Sequence, residues 1–117
     1  MTAPLIGITG RRTSGDRQIG FLSDMAGADL DLYFADYTRG VIEAGGIPVY
    51  LPLEVDIADV IDRLDGVLVS GGADIDPARY GAVREPDVFV VEPERDDHEL
   101  ALLAAAIDAE RPVLGIC

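Results

Sequence analysis

Four short apolar runs constrain this chain more than any other feature. They are "PLIGIT" (Pro4–Thr9), "IPVYLP" (Ile47–Pro52), "DGVLVS" (Asp65–Ser70) and "PVLGIC" (Pro112–Cys117). None of them alternates strictly between apolar and polar residues, so each predicts a strand buried on both faces. The segments between them carry a different period. Leu30, Tyr33, Phe34, Tyr37, Val41 and Ala44 share one face of a helix over residues 30–46, which Gly45 and Gly46 end. Residues 56–64 predict a short amphipathic helix, and residues 95–110 predict the strongest one. In that last helix Asp96 and Glu99 fit a capping box, and Leu100, Leu103, Ala104 and Ile107 form the apolar stripe. Residues 11–29 and 73–94 lack a period and predict loops, the second of them interrupted by Pro77, Pro86 and Pro93. The order β-α-β-α-β-loop-α-β predicts an α/β domain over residues 1–117, with a parallel sheet covered by helices on both faces.

Composition narrows the partners. Hydrophobic residues make up 49% of the chain, which suffices for a core. Against 22 acidic residues stand 9 basic ones, all arginine, for a formal charge of -13. Such a surface repels phosphate backbones and anionic lipid heads, so neither nucleic acid nor membrane is expected as a partner. "MTAPLIGITG" has no charged start before a long apolar run, and no stretch is long enough to span a bilayer. A lone cysteine forms no internal disulfide, which fits a reducing, cytoplasmic setting. One cysteine and one histidine do not make a zinc ligand set, so no metal is expected.

In a parallel sheet, ligands bind at the carboxyl ends of the strands. Three features gather at that edge: the Thr9-Gly10 turn, the Gly71-Gly72 pair and Cys117. Gly115-Ile116-Cys117 is the first half of a G-x-C-x-G elbow, a sharp turn that presents a nucleophile at the start of a helix. The helix dipole there favours the thiolate. The alternative is a small, inert cysteine. Gly71 and Gly72 follow a buried strand directly. Their backbone N–H groups suit an oxyanion, although a plain turn is the simpler reading. Asp74 and Asp76 read as turn caps or as substrate contacts, with Tyr80 and Arg79 beside them. Arg95 and Asp96 read as an ion pair and cap at the helix start, with a substrate-facing Arg95 as the alternative. His98, the only histidine, reads as a partly exposed surface residue.

Taken together, "IGITG", "YTRGVIEAGGIPVYLP", "DGVLVSGGADIDPARYG" and "PERDDHELALLAAAIDAERPVLGIC" resemble the class I glutamine amidotransferase-like hydrolases. The likeness is greatest to the γ-glutamyl-γ-aminobutyrate hydrolase group, peptidase family C26. It covers most of the chain, and the combination is specific although each piece alone is not. The family often has proline after the second glycine, where Ala73 stands here. The resemblance implies a flavodoxin-like fold, of which this chain would be the N-terminal half, ending at the nucleophile. It implies Cys117 as nucleophile and the Gly72 N–H, beside Gly71, as oxyanion donor. Asp74, Tyr80 and Arg95 follow as substrate-binding candidates. No cofactor is implied. The implied partners are a small γ-glutamyl substrate, the remainder of the protein after Cys117 carrying a catalytic histidine and a glutamate, and a second copy in a homodimer. The implied activity is hydrolysis of a γ-glutamyl amide through a cysteine thioester, as in polyamine catabolism. Two alternatives stay open: a glutaminase domain feeding ammonia to a synthetase, and a non-catalytic protein binding a γ-glutamyl compound.

Overall fold

The computed structural model describes residues 2–17, 22–88 and 90–117; positions 18–21 and 89, inside the two predicted loops, lie outside the described residues. In chain order the strands and helices are β1 (Leu5–Thr9), β2 (Arg11–Ser14), β3 (Asp29–Leu32), α1 (Ala35–Glu43), β4 (Ile47–Leu51), α2 (Ile57–Val60), β5 (Gly66–Val69), α3 (Pro93–Asp108) and β6 (Val113–Gly115). The four predicted strands form one parallel sheet in the order β4-β1-β5-β6, but β6, expected to be buried, is exposed along its length because it stands at the edge. This is the predicted α/β flavodoxin-like arrangement.

Successive side chains of a strand point to opposite faces. On one face Leu51 and Val67 join Ile61 and Leu64 after α2, and Leu102 and Ala106 of α3, in a single buried cluster. Leu102 and Ala106 are fully buried. Ile6 and Ile8 lie on the other face, over which α1 packs against β4 and β1. That helix buries none of its residues fully, so this face is thinly covered. Asp56 caps α2, its carboxylate accepting the Ala58 N–H at 3.0 Å.

Three expectations need correction. The helix predicted from residue 30 starts at Ala35, because Leu30 and Leu32 belong to β3, which pairs antiparallel with β2. The alternation Asp29-Leu30-Asp31-Leu32 has a period of two, and cross-strand charge supports the pairing: Arg12 Nε lies 2.9 Å from Asp31 Oδ1. Next, α3 begins at Pro93, whose fixed φ suits the first helical position. The capping box at Asp96 and Glu99 is therefore absent, and both carboxylates make other contacts. Finally, the buried face of α3 runs through Arg95, His98, Glu99, Leu102 and Ala106, while Leu100 and Ile107 are exposed. Residues 100–107 are apolar all round the helix, so the period gave no phase.

Candidate active site

β5 and β6 end side by side, and the chain leaving each turns over the sheet edge. The Ile116 N–H donates to the Val69 carbonyl at 3.0 Å, continuing the ladder one step past β6. Gly71 then passes so close to the next residue that a Cβ on it would meet Cys117 Cβ at 3.1 Å and Ile116 O at 3.3 Å. Cys117 itself is exposed, with φ at +74°. A non-glycine residue in that region is uncommon, and such conformations concentrate at functional turns. Gly72 has φ at +142°, a value that L side chains rarely adopt. Cys117, Gly71 and Gly72 all border a cavity of about 710 Å³, a size suited to a small molecule.

Beneath this edge lies a buried polar network. Arg95 is 4% exposed. Its Nε donates to Glu99 Oε1 at 2.8 Å, and its Nη1 to Glu92 Oε2 at 3.4 Å. Its Nη2 donates to the Ser70 carbonyl at 2.5 Å, to Ser70 Oγ at 3.2 Å and to the Gly71 carbonyl at 3.3 Å. The Thr9 hydroxyl donates to Glu99 Oε1 at 2.7 Å and accepts the Ser70 N–H at 3.0 Å. Arg11 reaches Glu92 Oε1 from the other side at 3.2 Å. A buried guanidinium is tolerable only when paired and fully hydrogen-bonded, and here two carboxylates and two carbonyls share that task. Ser70, Glu92 and Glu99 were missed as site residues in the sequence, and Thr9 was read only as part of the turn at the strand end. The available signals were polar residues closing two buried strands, and a glutamate four positions after an arginine on one helix.

The remaining candidates fall around the same cavity. Asp74 and Tyr80 border it, and Tyr80 is largely exposed. Asp76 caps the turn Pro77–Tyr80, accepting the Ala78 N–H at 3.0 Å, as its place before proline predicted. Asp96 accepts the Asp76 N–H at 2.9 Å, tying this loop to α3. Arg79 pairs with Asp97. Among the described residues, no group of three His, Cys, Asp or Glu side chains could hold a metal ion. No helix among them is long and apolar enough to cross a membrane.

Residues 4–117 match the model of the family described as Peptidase C26. The chain belongs to the peptidase C26 family. Among its relatives is a Mycobacterium tuberculosis protein provisionally named a glutamine amidotransferase, 44% identical over 71% of this chain and 28% of its own length. A Rickettsia prowazekii protein provisionally named glutamine amidotransferase-like is 38% identical over 70% of this chain and 30% of its own length. The γ-glutamyl-γ-aminobutyrate hydrolase of Escherichia coli K12 is 31% identical over 69% of this chain and 33% of its own length. The chain thus spans about a third of the length of these C26 relatives.

His98 does not join the site of this C26 chain. It borders a separate cavity with Arg12 and Glu54. It is also buried, contrary to the surface position expected, because it lies on the α3 face turned inward. Neither ring nitrogen has a hydrogen-bond partner among the described residues. Burial pushes its pKa below the ordinary 6.5, while the carboxylates of Glu99 and Glu54 pull it partly back up. The folded protein therefore holds the neutral ring at a pH where the unfolded chain has already bound a proton. Stability declines as pH falls below about 6.5, because the unfolded state binds more protons there. Chemical denaturation across that window measures the decline. His98→Gln is expected to make it shallower, and an unchanged slope contradicts the assignment.

Proposed function

We propose that the complete protein hydrolyses a γ-glutamyl amide bond through a thioester on Cys117. The observation that carries this reading is Cys117 at positive φ, packed close against Gly71 at the carboxyl edge of a parallel sheet. The thiolate attacks the γ-carbonyl carbon. The developing oxyanion is held by the Gly72 N–H and by the N–H of the residue following Cys117. A histidine from sequence beyond Cys117, oriented by a carboxylate, takes the thiol proton and gives it to the departing amine. Water then attacks the thioester, releasing glutamate and restoring the thiol. Asp74 and Tyr80, at the cavity wall, are the residues we assign to contact with the glutamyl group; a carboxylate there suits its ammonium. The reaction needs no organic cofactor. An exposed free thiol as nucleophile fits the reducing cytoplasm.

The names of the first two relatives favour a second reading, in which the domain releases ammonia from glutamine for a synthetase. Glutamate release by the full-length protein from γ-glutamyl-γ-aminobutyrate and from glutamine separates the two. Turnover of the γ-glutamylated amine is the expected result. Activity on glutamine alone favours the amidotransferase, and activity on neither defeats both.

A further inference from the structure

We infer that Arg95 is a positioning residue for the oxyanion donor, a role that rests on the hydrolase reading above. The argument starts from peptide geometry. In a trans peptide the C=O and the following N–H point in opposite directions. Arg95 Nη2 takes the Ser70 carbonyl at 2.5 Å and the Gly71 carbonyl at 3.3 Å. Both peptides are thereby fixed with their N–H groups, those of Gly71 and Gly72, aimed away from the guanidinium. Among the described residues neither N–H has a backbone acceptor, and Gly72, unlike the buried Gly71, is exposed at the cavity, where its N–H can donate to a ligand.

The loop cannot fix this direction by itself. Two consecutive glycines leave the intervening peptide free to rotate, at little steric cost. The restraint comes from across the fold. Glu99 and Glu92 hold the guanidinium, and Thr9 from β1 holds Glu99. The fit against Gly72 is tight, since a Cβ there would meet Arg95 Nη1 at 2.5 Å. Only a planar fork reaches the two carbonyls and two carboxylates together; an ammonium on a flexible stem does not. An oxyanion donor works by being aimed before the charge develops, so a misdirected N–H lowers kcat more than substrate affinity.

The test is Arg95→Lys in the full-length protein, which keeps a cation beside Glu99 and Glu92 but removes the fork. The expected result is a fall in kcat for glutamate release of about 10²-fold, the scale of a lost oxyanion donor. KM and the rate of Cys117 alkylation by iodoacetamide stay near wild type. Wild-type kcat in a folded Arg95→Lys variant overturns the inference. A rise in KM at unchanged kcat overturns it too, since that pattern belongs to a residue that binds substrate. If the variant does not fold, a crystal structure of the full-length wild type decides. Ser70 and Gly71 carbonyls within hydrogen-bond distance of the guanidinium uphold the role, and carbonyls turned away overturn it. A wild-type protein that cleaves no γ-glutamyl amide defeats the functional reading and this inference with it. Wild-type activity with an indifferent Arg95→Lys defeats the inference alone.

Discussion

Cys117→Ala in the full-length protein is expected to abolish glutamate release and to leave substrate affinity nearly unchanged. The sulfur is the only atom of that side chain able to attack a carbonyl carbon, and a methyl group cannot replace it. The cavity beside it is bordered by residues of the Gly71–Gly72 loop and the segment that follows, none of which the substitution removes. Affinity measured by calorimetry with the uncleaved substrate should therefore persist while turnover does not. An Ala variant with undiminished release removes Cys117 from the mechanism.

Gly72→Ala is expected to lower kcat by about 10²–10³-fold, the range seen when an oxyanion donor is lost. Two independent obstacles meet at this position. The φ of +142° strains any residue with a Cβ, at a cost of about 1–3 kcal/mol. The added methyl would also lie 2.5 Å from Arg95 Nη1 and 2.8 Å from Arg11 Cδ. Arg11 is partly exposed and can swing aside, but Arg95 is held by Glu99, Glu92 and two backbone carbonyls. The backbone of the loop must give way instead, and the Gly72 N–H turns with it. Steady-state kinetics of the folded variant should show the loss in kcat with little change in KM. A variant with wild-type kcat shows that the direction of this N–H does not matter.

The order of elements was legible because the strands of the main sheet are parallel and lack a polar alternation. Its strands at Leu5–Thr9, Ile47–Leu51, Gly66–Val69 and Val113–Gly115 are continuous apolar runs with punctuated ends. The β2–β3 pair was not legible. Its strands lie apart in the sequence, and Arg12 supports them through Asp31 and Glu54 rather than through a buried stripe. The phase of α3 was hidden for the opposite reason, an excess of apolar residues. Within the site, Gly71, Gly72 and Cys117 come together because each lies two or three positions past the end of β5 or β6, and those strands are neighbours in the sheet. The network behind them was not legible. Thr9 and Glu99 are 90 positions apart, and Arg95 reaches Ser70 across 25. No local pattern announces a contact that only the sheet order creates. His98 was misjudged on the same ground: which face of α3 is buried decides its exposure.

The central claim is a covalent bond between the glutamyl group and Cys117. It is tested most directly by acid-quenching the full-length protein during turnover of a γ-glutamyl amide and mapping its peptides by mass spectrometry. The account predicts the mass of one glutamyl group on the peptide that contains Cys117, lost again when hydroxylamine cleaves the thioester. Rapid turnover with the adduct on another residue, or with none at any quench time while Cys117→Ala stays active, would contradict it.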